Sequence, residues 1–181
     1  LRAGPRARRA VRTAEALFAA NSAIARDLAP LRGSAPPVVL ETGVTAVTGD
    51  MDRTGPHDPF RVFWCGELRA HKALPLLLEA LAALPRSCRF ELRVAGSGPE
   101  RARWQRMARR YGLASDVRWL GHLAHADALQ QYRWADVLAF TSLRDTSGNV
   151  VLEALAAGVP VIGLDHQGVR DIVTSQCGIK V

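Results

Sequence analysis

Two acidic residues, Asp145 and Glu153, flank the start of a helix-forming run, Gly148-Asn149-Val150-Val151-Leu152-Glu153-Ala154. Gly148 allows the backbone to come close to a ligand. At a helix start the N–H groups of Gly148, Asn149 and Val150 lack partners, and the positive end of the helix dipole adds to them, so the run suits a phosphate or diphosphate. The same loop also reads as an ordinary helix start capped by Thr146 or Ser147. The carboxylates add a constraint. Glu153 falls one turn beyond Asn149 on the same helix face, where it can accept hydrogen bonds from neighbouring hydroxyls such as a ribose diol. Asp145 precedes the helix and reaches the other side of the anion. Two carboxylates would repel a bare phosphate; they suit an anion with hydroxyls at both ends, as in a nucleotide sugar.

A second loop, Gly66-Glu67-Leu68-Arg69-Ala70-His71-Lys72, contributes Arg69 and Lys72. A fixed cation there would neutralise a diphosphate leaving group; a surface salt bridge with Glu67 is the alternative for either residue. Ala95-Gly96-Ser97-Gly98-Pro99 is half of a dinucleotide-binding fingerprint without its third glycine. A tight strand-to-helix turn accounts for it, with Gly96 also giving a ligand room. His122 and His125 have neither a neighbouring Glu nor a nearby cysteine, so no metal is expected there, and loop polarity or a contact to a base is the better reading. Ser142 and Ser147 lack the Gly-x-Ser-x-Gly setting of a hydrolase nucleophile.

These loops need strands to carry them. The pattern predicts strands over 61–65, 89–95, 117–120, 137–140 and 159–164, and helices over 73–84, 99–111, 126–134 and 149–157. Trp104, Met107, Ala108 and Tyr111 should form one apolar stripe on the second of these helices. Such alternation implies right-handed crossovers and an α/β, Rossmann-like, doubly wound parallel sheet, in which ligands lie outside the carboxyl ends of the strands. Upstream, residues 5–20 read as an amphipathic helix, Asn21-Ser22 as a cap, 23–31 as a short helix and Val38-Val39-Leu40 as a buried strand. Residues 41–59, broken by glycines and prolines, read as a linker. The last five residues, 177–181, read as a strand.

At 181 residues with 48% hydrophobic content the chain can build a full core. The net charge of +7 is almost wholly arginine, since Lys72 and Lys180 are the only lysines. That balance suits nucleic acid, an anionic membrane surface or a phosphorylated ligand without choosing between them, and for most of these arginines a solvated face is the better reading. Aromatic and basic residues do not interleave along a strand, which argues against a nucleic-acid-binding module. No membrane span and no signal peptide are expected. The odd number of widely spaced cysteines reads as buried free thiols in a reducing cytoplasm.

The run from Val62 to Val173 resembles the donor-binding domain of the family-4 retaining glycosyltransferases. The resemblance rests on Gly66-x-Leu68 with Lys72, Val94 to Pro99, Val117-x-x-Leu120-Gly121, Ala135-Asp136-Val137, and Ser147 to Ala154 through Gly158-Val159-Pro160-Val161-Ile162. It implies one half of a GT-B architecture. Residues 1–45 would then be the end of the acceptor-side domain, 46–60 the interdomain linker, and 61–181 a nucleotide-sugar-binding domain truncated at its C-terminus. It also implies transfer of a sugar from a nucleoside-diphosphate donor to a glycan, lipid-linked or small-molecule hydroxyl, with retention. Glu153 would hold the ribose, Asp145 the transferred sugar, and the amides of Gly148, Asn149 and Val150 with Lys72 the diphosphate; Ser147 and Gly66 would line the site. His122 and Leu123 would lie against the base. No cofactor or metal is expected, and the setting would be cytoplasmic, with peripheral membrane contact as an option. Two departures stand out: Glu67 occupies the place of a usual arginine, which leaves Arg69 to substitute, and Asp145 is shorter than the usual glutamate. A nucleotide-sugar epimerase of similar fold is the alternative enzyme.

Overall fold

The computed structural model describes residues 4–39, 55–145 and 148–181. Its centre is a six-stranded parallel sheet of β1 (Phe60–Cys65), β2 (Phe90–Ala95), β3 (Val117–Gly121), β4 (Val137–Phe140), β5 (Val161–Gly163) and β6 (Gly178–Lys180). The strand order is β3-β2-β1-β4-β5-β6, that of a doubly wound dinucleotide-binding sheet. Five helices follow strands: α3 (Leu74–Ala82), α4 (Arg101–Arg110), α5 (His125–Trp134), α6 (Asn149–Ala156) and α7 (Gln167–Ile172). The expected α/β Rossmann-like class is therefore the observed one.

Strand β1, Phe-Arg-Val-Phe-Trp-Cys, is a nearly continuous apolar run because helices cover both faces of a parallel sheet. Its side chains alternate between two cores. Val62 and Trp64 pack with Leu92, Val94, Leu74, Leu78 and Trp104 on one face. Phe63 packs with Leu138, Phe140, Tyr132, Val151 and Val169 on the other. In α4, Trp104 and Ala108 are buried and Met107 packs partly against them, as the stripe predicts. Tyr111 lies at the rim instead, and its hydroxyl donates to Glu79.

Three expectations fail, two of them upstream of the sheet. The first helix, α1 (Pro5–Thr13), stops well short of residue 20. It has no buried residue to hold it to a core, and Ala14 is already extended where the Arg32 guanidinium binds the carbonyls of Val11 and Ala14. Val38 and Val39 are exposed, and Val38 forms a single bridge with Ala19 rather than a buried strand; Leu40 lies outside the described residues. Nor are all the thiols buried: the three cysteines are free, and Cys88 is exposed. By contrast, Asn21 caps α2 (Ser22–Arg32), its side chain accepting from the Ile24 amide, as read from the sequence. Helix α2 docks on α7 through Ser22, whose backbone N–H and hydroxyl both donate to Asp171.

No helix among the described residues is long and apolar enough to cross a membrane.

Candidate functional site

The strand order reverses between β1 and β4, and the loops leaving their carboxyl ends diverge there to leave a crevice. The β1 loop winds through a short 3₁₀ turn (Ala70–Lys72). The β4 loop fixes it: the Thr141 hydroxyl donates to the Lys72 carbonyl at 2.8 Å and accepts from the Trp64 indole at 3.0 Å. The Leu143 amide donates to the His71 carbonyl at 2.7 Å. Lys72 thus projects from a braced backbone, and its ammonium meets the Asp145 carboxylate at 2.6 Å with both side chains about four-fifths buried.

The other Asp145 oxygen accepts from the Gly148 amide at 2.9 Å. This modifies the expectation of three open N–H groups at the helix start. Gly148 has φ +58, a left-handed turn that glycine adopts freely, and delivers the chain into α6. Its amide is taken by Asp145, while the amides of Asn149 and Val150 meet no acceptor among the described residues. Ser147 lies outside the described residues.

Glu153 lies one turn along α6 and accepts a hydrogen bond from the Tyr132 hydroxyl at 2.7 Å, with His125 Nδ1 3.8 Å from its second oxygen. Tyr132 is fully buried and meets Phe63 edge-on at 5.2 Å. Burial, the nearby Cys65 and the bond to Glu153 all push its phenol well above the ordinary range. Cys65 stands at the end of β1. Burial and the Glu153 carboxylate raise its thiol to about 11, against a hydrogen bond from Tyr132 and the Lys72 charge, which lower it.

Two cavities open along this edge. One, of about 480 Å³, is lined by His71, Lys72, Arg144, Asp145 and Gln167. The other, of about 240 Å³, is lined by Gly66, Gly96, Ser97, His122 and Leu123, with Cys65 beneath. The structure therefore gathers Lys72 and Asp145 in one cavity, and Gly66, His122 and Leu123 in the next. Arg69 lines neither cavity: its guanidinium pairs with Glu67, which lines the smaller one, at 2.5 Å, and both side chains are more than half exposed. That pairing also neutralises the Glu67 charge, leaving Lys72 and Arg144 as the cations lining the larger cavity.

Gly96 lines the smaller cavity, yet its nearest constraint is the protein itself. A Cβ there would lie 1.9 Å from the Gly66 carbonyl oxygen, and one on Gly98 would lie 2.5 Å from that of Leu68. The half-fingerprint lets the β2 loop press against the β1 loop, whose Leu68 amide donates to Ser97 at 2.8 Å.

Sequence reasoning passed over Tyr132 and Gln167. A tyrosine in α5 signals a buried ring but not which carboxylate its hydroxyl meets. Gln167, the first residue of α7, accepts from the Asp145 amide through Oε1 at 2.9 Å, a contact between residues remote in sequence.

Comparisons with known proteins give the family and the fold. The chain is 28% identical over 181 residues to a glycogen synthase of Mycobacterium tuberculosis, covering 94% of this chain and 42% of that protein. It is 32% identical over 184 residues to a D-inositol 3-phosphate glycosyltransferase of Kineococcus radiotolerans, again covering 42% of the relative. The chain thus spans less than half the length of these relatives. Among solved structures it superposes on the lipopolysaccharide outer core galactosyltransferase WaaB with a TM-score of 0.76 at 24% identity, covering 89% of this chain and 46% of that one. It superposes on Anabaena Alr3699/HepE, solved in complex with UDP, with a TM-score of 0.74 at 22% identity, covering 95% and 51%. Both are likenesses of fold. The family model of the glycosyl transferases group 1 matches residues 50–178, most of the chain, and the chain belongs to that family.

Proposed function

We propose that this chain carries the donor site of a retaining, family-4-type glycosyltransferase, and that it binds a nucleoside-diphosphate sugar at the carboxyl edge of β1 and β4. The observation that carries the reading is the Lys72–Asp145 pair across the switch point, beside the Asn149 and Val150 amides, which meet no acceptor among the described residues. A cation and a helix start together hold a diphosphate. That the HepE structure with a similar fold was solved with UDP supports the same ligand class.

In this reading Lys72 and the α6 amides stabilise the charge that develops on the departing diphosphate. Glu153, held by Tyr132, accepts from the ribose hydroxyls. Asp145 accepts from a hydroxyl of the transferred sugar, and His122 and Leu123 form the wall against the base. Positioning and electrostatics supply the catalysis, with no protein nucleophile and no metal assigned. Residues 61–181 form the donor unit, 46–60 the crossing and 1–45 the end of the acceptor-side unit; the Ser22–Asp171 clasp joins the first and last of these. The acceptor is a hydroxyl of a glycan, lipid-linked or small molecule.

The test is calorimetric titration of this chain with uridine, guanosine and adenosine diphosphates in the presence of a chelator. Saturable binding of one of them is expected, and it should be weakened by Glu153→Ala. Absence of binding to all three would refute the donor-site assignment. Retention is tested on the intact enzyme, by the anomeric configuration of the first-formed product in an NMR time course.

A further inference from the structure

Gln167 is held in a backbone conformation that its side chain disfavours. Among the described residues only Ala73 and Gln167 are non-glycine residues with positive φ, and Gln167 stands at +45. Glycine would adopt that conformation freely, whereas a side chain with a Cβ is strained in it. Strain of this kind concentrates at ligand sites, where the surrounding structure maintains it. Gln167 lines the same cavity as Lys72 and Asp145.

The orientation of the Gln167 amide is fixed by its partner. The Asp145 backbone N–H can only donate, so the atom 2.9 Å away is the oxygen Oε1. The Nε2 group therefore faces away from that bond, and it meets no acceptor among the described residues. The cavity thus holds the Asp145 carboxylate, an acceptor shared with Lys72 and the Gly148 amide, and the Gln167 amide NH₂, a donor, on residues joined through the Asp145 backbone N–H. A hydroxyl group both donates and accepts, so it can satisfy the two together. A phosphate oxygen would use the amide and be repelled by the carboxylate.

We propose that Gln167 is a specificity-determining residue: its side-chain NH₂ donates to a hydroxyl oxygen of the sugar while its Oε1 holds the Asp145 loop in place. The proposal rests on the donor-site reading given above and adds to it the residue that distinguishes a diphosphate sugar from the bare diphosphate.

The test compares two affinities by calorimetry. One is for whichever of uridine, guanosine or adenosine diphosphate the wild-type chain binds. The other is for the glucose, galactose and mannose conjugates of that diphosphate. The ratio of the two is the preference for the sugar. Gln167→Gly relieves the strained φ but also removes the bond to the Asp145 amide, two effects of similar size, so its melting temperature should stay near the wild type's. Its preference for the best-bound sugar should fall about tenfold, the scale of one hydrogen bond lost from a polar site. Gln167→Glu keeps an acceptor for the Asp145 amide but lacks the donor. The added charge shifts its affinities for both ligands together, but their ratio should fall as in the glycine variant. An unchanged ratio in either variant overturns the proposal, as does a wild type with no preference for any of the sugars. A wild type that binds no nucleoside diphosphate overturns the donor-site reading itself, and this inference with it, before any variant is made.

Discussion

The Lys72 ammonium and the Asp145 carboxylate meet at 2.6 Å and join the loop after β1 to the loop after β4 where the sheet order reverses. A diphosphate bound at Lys72 has to compete with Asp145 for the same charge. Asp145→Asn is therefore expected to tighten binding of the bare nucleoside diphosphate while reducing the preference for the sugar conjugate. Lys72→Met should weaken both by at least tenfold, since a charge-assisted hydrogen bond contributes about 1.5–3 kcal/mol. Calorimetry on both variants checks this, and an unchanged diphosphate affinity in Asp145→Asn would count against the competition.

Tyr132 supports Glu153 from inside the fold. Tyr132→Phe keeps the edge-on packing with Phe63 and removes only the hydroxyl, leaving the carboxylate short of a donor. A loss of about 1–3 kcal/mol in urea unfolding is expected, together with weaker nucleotide binding. Wild-type stability in this variant would mean that the Glu153 oxygen finds another donor at no cost.

How much of this was legible in the sequence depends on the range of the contact. The strands, the helices after them and the placement of Lys72 and Asp145 on strand-end loops follow from local periodicity and from the edge rule for parallel sheets. Val38 and residues 14–20 misled because apolar composition was read as burial; their partners are few, and Phe18 is 62% exposed. The Glu67–Arg69 pairing resolves the apparent conflict at the diphosphate edge, but only side-chain directions reveal it. Tyr132 to Glu153 and Gln167 to Asp145 are tertiary contacts with no periodic signature.

At the opposite edge of the sheet, Asp136 accepts from the His57 ring, the His57 amide and the Arg61 amide. Burial alone would raise its carboxyl, but the His57 ring and the two backbone donors outweigh it and hold the pKa below the ordinary value. A lowered folded pKa means that the ionised form stabilises the fold. The contribution is complete above the ordinary carboxylate value and is lost as pH falls through the lowered one. The stability gap between wild type and Asp136→Asn should therefore be widest near neutral pH and shrink below about pH 4. Denaturant midpoints across that range measure it; a gap independent of pH would contradict the assignment.

Gly96 and Gly112 both have positive φ but differ in surroundings. Gly112→Ala meets open space and should cost only the left-handed backbone penalty, about 1–2 kcal/mol. Gly96→Ala drives a Cβ into the Gly66 carbonyl and should cost more than about 4 kcal/mol or prevent folding. Thermal unfolding of the pair checks the difference, and comparable losses would show that the β1 loop yields easily.

The location of the bound nucleotide tests the central claim most directly. Amide shifts recorded while a nucleoside diphosphate is titrated into the isotope-labelled chain should be largest at Lys72, Gly148, Asn149 and Val150, with smaller changes at His122 and Leu123. Shifts centred instead on the cavity at the opposite edge, around Arg86, Arg89 and Tyr111, would contradict it.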